Sequence, residues 1–543
     1  MNLKSFFKSF SPTPKDNFSL LSEESKKSSS ESELLKGSST SFEVPKSISS
    51  NIIENLNIIK TIYNAMINSD VVIREFLCSI NKKSYSSFII YFDGMTNSQM
   101  INNYLLRPLM SNTNSKLSKN DSLDEYIFNT LMPQTNVKKV YDFAKIANSI
   151  NSGNCVLFVD TLNVAFDIDI KKFEQRSITS PENEIVIKGP QEAFVENLRT
   201  NTSMLRRIVH NENMIIENVA VGSLSKTNCS LCYIKGITNE DLISEVKYRL
   251  NNLKIESLQS SGQLEQLLEE PNSFGIPQIL STERPDKCAK FLFQGRVVVL
   301  INGNPYALIM PAVAMDFLVS PEDTNIKSSF ANFLRFLRFL AVFITLLLPG
   351  IYVAITSFHQ EILPTELLFS IISSRENVPF PILVELLIME ISFELIREAG
   401  IRVPSPIGST IGIVGGLIIG EAAVSANIVS PFLVIIVAIT GIASFAIPDF
   451  SFGFHLRVFR FIFIFLGFVF GFLGIGIGIF AYITILCSKK SFGVPYTAPF
   501  SPTSLKESVG YIVPPTWKHE TRQTFINSEN VKQQYRISKK WEF

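Results

Sequence analysis

Apolar and polar residues are arranged in two different ways along this chain, and the change falls near residue 330. Before it, short apolar runs alternate with stretches in which apolar residues recur at helical spacing, which predicts α/β structure. The predicted helices are residues 52–67, 140–150, 189–208 and 239–253. The predicted buried strands are residues 88–94, 155–160, 215–222, 228–236 and 296–303. We therefore predict two α/β subdomains, residues 51–170 and 171–330.

Polar segments form both ends of the chain. Residues 1–50 are rich in Ser with interleaved Lys and Glu, and such a stretch buries too little apolar surface to offset the entropy lost on ordering. We predict that it is a disordered extension. Residues 489–543 are basic and contain several prolines, which predicts a polar, basic C-terminal tail.

Residues 331–488 are overwhelmingly apolar. Crossing a hydrocarbon core of about 30 Å takes roughly 20 helical residues at about 1.5 Å per residue. The segments that approach or exceed this length are residues 336–358, 407–426, 430–448 and 459–487. We predict an α-helical, polytopic membrane domain of four to five membrane helices over residues 331–488.

Basic residues at the ends of the apolar segments predict the topology. Arg335 and Arg338 precede the first segment, and Lys489–Lys490 follow the last one. Because basic residues concentrate on the cytoplasmic side, both ends of the membrane domain are expected there. Arg457 and Arg460 favour the opposite orientation for the last segment, and the sequence does not resolve this conflict.

The segment 380–398 is apolar but too charged to face lipid. Its charged residues are Glu385, Glu390, Glu394, Arg397 and Glu398. Five such charges cost roughly 12–17 kcal/mol on insertion scales, while about a dozen apolar residues return only about 4–7 kcal/mol. All but Glu385 fall on one helical face. Two interpretations stay open: a surface helix with solvated charges, or a polar membrane helix that turns its charges toward a shared polar space.

Small residues dominate the segment 407–426, which suits close packing of membrane helices. Glu421 is the only charge in that segment, and intramembrane ionisable residues are candidates for function. In an oligomer, Glu421 and Asn427 would lie at a channel mouth, with Leu417 and Ile418 as an apolar constriction. Packing without a pore is the competing interpretation.

Residues that would indicate enzymatic chemistry are missing from the sequence. The net charge of +1 gives no field that would favour nucleic acid. The chain has no phosphate-binding loop of the G-x-x-x-x-G-K-[ST] type, and Cys229 and Cys232 form a lone CxxC pair. Its four histidines are far apart in sequence. We expect no enzyme activity, no metal and no cofactor.

Three parts of the sequence resemble a known family. They are EIVIKGPQEAFVENLRTNTSMLRR (184–207), IPQILSTERPDK with GRVVVLINGNPYALIMP (276–311), and the long acidic and small-residue segment at 379–431. On these motifs the chain resembles the A subunits of spore germination receptors, the GerA or GerABKA family. The resemblance covers residues from about 75 to 490.

The resemblance implies a cytoplasmic two-subdomain α/β region joined to a domain in the inner spore membrane. It also implies a transporter-like, nutrient-binding B subunit and a lipoprotein C subunit as partners. Members are thought to oligomerise and release ions when nutrient binds. The alternatives left open are a non-conducting, signal-transducing scaffold and a secondary transporter.

Four arginines of the soluble half are candidates for ion pairs at an interface between subunits or subdomains. They are Arg199, Arg206, Arg207 and Arg284. For each of them, an ordinary structural or solvated arginine is the competing interpretation.

Overall fold

The computed structural model describes most of the chain between residues 47 and 533. The described residues are 47–80, 83–111, 122–133, 136–171, 181, 183–271, 274–402, 416, 420–501 and 521–533. Most of the predicted N-terminal extension, much of the predicted C-terminal tail, and the candidates Leu417 and Ile418 lie outside them.

Unit 1, residues 47–171, contains a five-stranded sheet with strand order β1-β2-β4-β5-β3. Its strands are β1 (Val71–Ile80), β2 (Lys83–Phe92), β3 (Val137–Val140), β4 (Cys155–Val159) and β5 (Ala165–Ile168). Its helices are α1 (Ile52–Ile62), α2 (Ser98–Met100), α3 (Arg107–Ser111), α4 (Leu123–Tyr126) and α5 (Phe143–Asn151), with π-helical stretches at Ile101–Leu106 and Ile127–Leu131.

Unit 2, residues 183–327, contains a second five-stranded sheet with strand order β6-β7-β9-β10-β8. Its strands are β6 (Met214–Val221), β7 (Thr227–Ile234), β8 (Leu280–Thr282), β9 (Val297–Ile301) and β10 (Ala307–Met310). Its helices are α6 (Leu198–Ile208), α7 (Glu240–Asn252), α8 (Ser261–Leu268) and α9 (Pro285–Phe293), followed by 3-10 turns at Ala314–Leu318 and Pro321–Thr324.

The two units have the same topology. In each, a helix leads into a long hairpin, helices follow, and a short edge strand, a helix and two further strands complete an antiparallel sheet. Both sheets are covered on both faces. In unit 1, α1 and α5 cover one face and the helices between β2 and β3 cover the other. In unit 2, α6 and α9 cover one face, and α7 and α8 cover the other. The mixed α and β content predicted for this half is confirmed.

The predicted helix 189–208 is wrong in its first half. Helix α6 begins at Leu198, because the side chain of Asn197 accepts hydrogen bonds from the amides of Arg199 and Thr200 and so caps the helix. Residues 189–197 are not helical. Gly189 and Pro190 therefore lie in an irregular segment that continues to Asn197, and they do not open a helix.

The helical region, residues 328–488, follows unit 2. Its helices are α10 (Ser328–Phe358), α11 (Thr365–Arg375), α12 (Ile382–Arg402), α13 (Pro431–Phe445) and α14 (Phe450–Ser488), with a 3-10 turn at Gln360–Ile362. Among the described residues, α10 and α14 are long and apolar enough to cross a membrane by length and composition. Helix α13 is apolar but has only 15 residues.

Helix α14 is a hairpin, so the single span predicted at 459–487 is wrong. Gly471 has φ 58° and ψ −141°, which ends one helix and starts another. The His455 Nε2 atom lies 3.1 Å from the Tyr482 hydroxyl, although 27 residues separate them. A straight helix would hold them about 40 Å apart. The chain therefore reverses at Gly471, between a first arm at 450–470 and a second arm at 472–488.

Close backbone contact joins α10 to the first arm of the hairpin. A Cβ atom built on Gly467 would lie 2.5 Å from the Gly350 carbonyl oxygen, and one on Gly350 would lie 2.7 Å from the Phe463 carbonyl oxygen. Side chains larger than hydrogen would separate the two helices, so both glycines are required by packing. The end of α10 reaches the hairpin tip, where His359 lies against Gly471.

The chain that follows the helical region packs against unit 2. We call its described residues, 489–501 and 521–533, the C-terminal segment. It contains the two-residue strands β11 (Lys490–Ser491) and β12 (Val494–Pro495), and a 3-10 turn at Thr524–Ile526. Phe492, Val494, Phe525 and Ile526 belong to the core cluster beneath α7 and α8. Unit 2 and the C-terminal segment therefore lie on the same side of the helical region.

Candidate functional site

A cluster of buried charges joins α12 to the first arm of α14. We call it the charge cluster: Glu390, Glu394, Arg397, Arg457 and Arg460. The guanidinium of Arg460 lies 2.7 Å from a Glu390 carboxylate oxygen and 3.1 Å from Glu394. Arg457 lies 3.1 Å from Glu394, and Arg397 lies 3.4 Å from it. Glu394 is thus shared by three arginines.

Burial makes these contacts matter energetically. The side chains of Glu390 and Arg460 are 0% and 1% exposed. Removing one partner from such a buried pair leaves an uncompensated charge and costs about 3–5 kcal/mol. Arg397 also donates a hydrogen bond of 2.5 Å to the Ser444 hydroxyl and lies over the Phe445 ring. The charged face of α12 therefore packs against α13 and α14 within one chain.

The contacts of Arg457 and Arg460 also account for the conflict in the topology prediction. Each arginine pairs with a glutamate of α12, so neither is a free basic residue at the end of a span. The positive-inside rule describes basic residues in loops near the ends of spans. These two residues therefore do not count toward the orientation of the last segment.

Glu385 and Glu398 lie in two different settings outside the charge cluster. Glu385 is fully buried, accepts a hydrogen bond of 2.5 Å from the Ser430 amide, and lies 3.3 Å from Arg375. It thereby joins α11, α12 and the start of α13. Glu398 is exposed and pairs with Arg402 one turn along the same helix. The interpretation as a solvated surface charge therefore fits Glu398 but not Glu385.

The pore candidates that the structure describes are Glu421 and Asn427, and both are exposed. Residues 420–425 are helical, and Asn427 has a positive φ of 55° just after them. Both side chains are thus open to contacts from outside the chain. Leu417 and Ile418 lie outside the described residues.

Two of the four arginine candidates lie at the seam, by which we mean the contacts between units 1 and 2. Arg206 of α6 is buried, donates hydrogen bonds of 2.8 and 3.0 Å to the Asp70 carboxylate, and donates another of 3.0 Å to Asn68. Its guanidinium also lies 4.4 Å from the centre of the Phe92 ring. Arg199 pairs with Asp93 at 3.0 Å in a more exposed position.

Arg207 and Arg284 instead make contacts inside unit 2. Arg207 pairs with Glu192. Arg284 is fully buried, pairs with Asp286 at 3.0 Å, and donates hydrogen bonds to the carbonyl oxygens of Glu184 and Pro190. It holds the irregular segment before α6 against the start of α9. Neither residue reaches unit 1 through these contacts.

Sequence reasoning missed a set of charges at the junction between unit 2 and α10. Asp323 is fully buried and lies 2.9 Å from Arg335 and 2.8 Å from Arg338. Lys290 of α9 lies nearby, and its pKa is lowered to about 8 by burial and by the positive charge of Arg335. The two arginines assigned to topology thus also attach α10 to unit 2. The sequence signal that could have indicated this junction is the acidic residue Asp323, which lies twelve residues before Arg335.

The contacts of the hairpin base and the C-terminal segment complete this junction. Phe452 stacks on Phe317 with ring centres 5.7 Å apart. His455 Nδ1 lies 3.1 Å from the Phe274 carbonyl oxygen, which identifies Nδ1 as the protonated nitrogen and leaves Nε2 to accept from Tyr482. The Ser491 hydroxyl donates a hydrogen bond of 2.7 Å to the Gln278 carbonyl oxygen.

The cysteines of the CxxC pair do not meet. Both lie on β7, where Cys229 belongs to the core cluster on one face of the sheet and Cys232 to the cluster on the other. Burial raises the pKa of the Cys229 thiol to about 12, so the thiol stays protonated. Within the part of the chain that the structure describes, no group of three or more His, Cys, Asp or Glu side chains is placed to hold a metal ion.

Comparison with known proteins identifies the class of protein to which this arrangement belongs. Residues 57–525 match the family described as "Bacillus/Clostridium GerA spore germination protein". The chain belongs to this GerA family of germination receptor subunits.

Individual relatives agree with this family. The chain is 39% identical to spore germination protein KA of Bacillus subtilis over 87% of each chain. It is 38% identical to spore germination protein A1 of the same organism, over 74% of this chain and 82% of that one. The crystal structure of the N-terminal domain of the A subunit of the Bacillus megaterium spore germinant receptor GerK3 matches 49% of this chain and 97% of that one, with 28% identity and a TM-score of 0.36.

Proposed function

We propose that this chain is the membrane subunit of a nutrient-responsive spore germination receptor, and that copies of it oligomerise into a nutrient-gated channel for ion release. Its partners are a transporter-like, nutrient-binding B subunit and a lipoprotein C subunit. It lies in the inner membrane of the spore, with both units and the C-terminal segment in the cytoplasm. Family membership supports the germination role, and the length of α10 together with the apolar composition of α10 and α14 supports the membrane location.

The charge cluster is the observation that carries the proposal of gating. Glu390 and Glu394 pair with arginines of α14 inside an apolar region, where unpaired charge is expensive. A displacement of α12 against the first arm would break these pairs, and the released charges would then need water or ions. The paired arrangement therefore favours the closed state, and opening requires a source of free energy such as nutrient binding.

The segment around Glu421 is the proposed pore wall. Glu421 and Asn427 are exposed in one chain, so copies arranged around an axis can bring them together. Leu417 and Ile418 precede them by three to ten residues in the sequence and supply the proposed apolar constriction. An apolar ring of this kind gates by excluding water.

The first experiment measures ion release from spores carrying Glu390→Gln, with and without nutrient, at verified protein abundance. Loss of the carboxylate leaves Arg460 with one partner fewer and destabilises the closed state, so we expect release without nutrient. Glu398→Gln is the matched control, because that residue is exposed and its ion pair among the described residues is with Arg402. Normal release from both variants at normal abundance would contradict a gating role for the charge cluster.

The second experiment tests the pore wall in spores carrying Glu421→Gln, Ile418→Ala or Ile418→Trp. Altered rate or selectivity of ion release at normal abundance is expected. Normal release from all three would remove the pore assignment. Purified protein in liposomes then separates the alternatives: no ion flux under any gating condition favours a scaffold, and uphill transport coupled to an ion gradient favours a secondary transporter.

A further inference from the structure

A polar pocket of about 210 Å³ opens at the start of α6. It is lined by the first turns of α6, by β6 and β7, and by the turn between β9 and β10. Leu198 is the one apolar lining residue, and no carboxylate lines the pocket. Its volume is below that of a typical pocket for drug-sized molecules, about 300–1,000 Å³, and fits a smaller ligand.

The hydrogen bonds around the pocket engage the side-chain oxygens of three asparagines and fix the orientation of two of them. The Oδ1 atom of Asn302 accepts from the Leu198 amide at 3.4 Å, and that of Asn197 accepts from the Arg199 amide at 2.9 Å. The Oδ1 atom of Asn218 accepts from the Ser230 hydroxyl at 2.6 Å. Because backbone amides can only donate, the oxygens of Asn197 and Asn302 must face them.

The side-chain NH₂ groups of Asn197 and Asn302 therefore remain to donate. The side-chain NH₂ groups of Asn197, Asn218 and Asn302 have no hydrogen-bond partner among the described residues. Asn228 adds a fourth amide, and Arg199 adds a guanidinium. The amides of residues 198–200 are already satisfied by Asn302 and Asn197, so the side chains, not the helix end, provide the donors.

We propose that this pocket binds a small oxyanion, a carboxylate or a phosphate group, on the cytoplasmic half of the molecule. Such a ligand offers only acceptors to four amides and one guanidinium, and it meets no opposing negative charge on the pocket wall. This site is separate from the charge cluster and from the pore wall of the helical region.

The pocket adjoins the seam, so occupancy is linked to the contact between units. Arg199 pairs with Asp93 of unit 1 at 3.0 Å. The Ser69 hydroxyl of unit 1 accepts a hydrogen bond of 3.0 Å from the backbone N–H of Asn218. A bound anion competes with Asp93 for the guanidinium of Arg199, so binding loosens this pair, and a tighter pair weakens binding by the same factor.

The test is a titration of purified full-length protein with inorganic phosphate and, separately, with acetate, followed by calorimetry at constant ionic strength. Saturable binding of at least one of the two is expected. Asn228→Asp places a carboxylate in the pocket without removing a helix cap, and we expect it to weaken binding at least about tenfold. Asn251→Asp is the control, because Asn251 is exposed on α7, on the opposite face of the sheet.

Three outcomes would overturn the proposal. They are the absence of saturable binding for both anions, equal binding by wild type and Asn228→Asp, and equal weakening by Asn228→Asp and Asn251→Asp. The last outcome would indicate an effect of overall charge. Arg199→Gln provides a second readout: it removes both the anion partner and the seam pair, so binding must fall there too. None of these readouts depends on ion conduction, so failure here leaves the proposed channel untouched.

Discussion

Units 1 and 2 have the same topology but differ in what surrounds them. The central strands β4 and β9 are buried along their whole length, because helices cover both faces of each sheet. Unit 1 meets the rest of the protein mainly at the seam. In unit 2, the core beneath α6 and α9 continues into α14, and the core beneath α7 and α8 includes the C-terminal segment. The same fold is thus peripheral in unit 1, whereas in unit 2 it supports the helical region.

This difference indicates where a mechanical displacement can pass between units 1 and 2 and the helical region. Unit 2 is joined to the helices through α10, through the hairpin base and through the C-terminal segment. A movement of unit 1 can reach the helices through the seam and then through unit 2. Substitutions at matched positions of the two units therefore distinguish effects on the stability of each unit from effects on its connection with the helical region.

The largest effect is expected for Arg206→Ala at the seam. The substitution leaves Asp70 buried without its partner, which costs about 3–5 kcal/mol. Hydrogen exchange of the full-length protein should show faster exchange at β1 and at β6 together. Lys235→Ala is the control, since Lys235 reaches Asn64 across the same seam at 2.8 Å but is exposed. An equal loss in both variants would contradict the importance of the buried pair.

The next effect compares Gly153→Ala with Gly295→Ala, which occupy equivalent positions after α5 and α9. Both glycines have φ 91°, so each alanine costs about 1–2 kcal/mol in backbone strain. A Cβ at Gly295 would also lie 2.7 Å from the Ser528 hydroxyl of the C-terminal segment. We expect the larger fall in melting temperature for Gly295→Ala, with faster exchange at residues 521–533. Equal effects would mean that the C-terminal segment is loosely held.

A smaller effect on stability is expected from a change of pH. A rise in pH should lower the contribution of one carboxyl group in unit 2 and raise that of one in unit 1. Burial and the carboxylates of Glu269 and Asp449 raise the pKa of Glu265 in unit 2 to about 8. Its contribution to stability is present below the ordinary glutamate pKa and is lost as the pH rises toward 8. Glu265→Gln should therefore raise the melting temperature by about 2–4 °C at pH 8.5, with little change at pH 5.

The matched residue of unit 1 is Asp124, whose pKa is lowered by its hydrogen bond with Lys139. Its contribution is lost only as the pH falls below the ordinary aspartate range. Asp124→Asn should lower the melting temperature slightly at pH 7, and this difference should shrink as the pH falls below the ordinary aspartate pKa. A gain at high pH from Asp124→Asn, or none from Glu265→Gln, would contradict these assignments.

The smallest effect compares Gly94→Ala with Gly236→Ala, which follow β2 and β7. Both have positive φ, 83° and 77°, so the backbone cost is similar. A Cβ at Gly94 would also lie 2.9 Å from the Arg199 Cγ atom, whereas Gly236 has nothing within 4 Å. Because that side chain can move, the two variants should differ by no more than about 0.5 kcal/mol in urea unfolding. A much larger loss at Gly94 would show that Arg199 is rigidly held.

The sequence predicted the elements whose residues are uniform in character. Strands β4 and β9 are continuous apolar runs, CVLFV and VVVLI, and both were found within a residue or two. Strands β3 and β8 are short and partly polar, VKKV and LST, and become strands only through pairing with neighbours. The start of α6 was misplaced because Gly189-Pro190 fits a helix start as well as Asn197 does.

Of the charge cluster, the sequence predicted the charged residues of α12 but not their partners on α14. Charge spacing identified Glu390 and Glu394 as residues that need a partner, since the cost of exposing them to lipid follows from composition. Their partners on α14 lie more than 60 residues away, and only the tertiary structure selects them. The hairpin was missed because Gly471 stands among apolar residues that favour one continuous helix.

The position of the C-terminal segment sets the order in which the molecule can be completed during synthesis. Phe525 and Ile526 fill the core of unit 2, and Arg522 donates hydrogen bonds to the carbonyl oxygens of Phe293 and Lys532. These residues leave the ribosome only after all helices from α10 to α14 have been made. All residues of unit 1 are made early in synthesis, whereas the core of unit 2 lacks Phe525 and Ile526 until the helical region has been made. A chain that stops within the helices therefore exposes an open core to proteases.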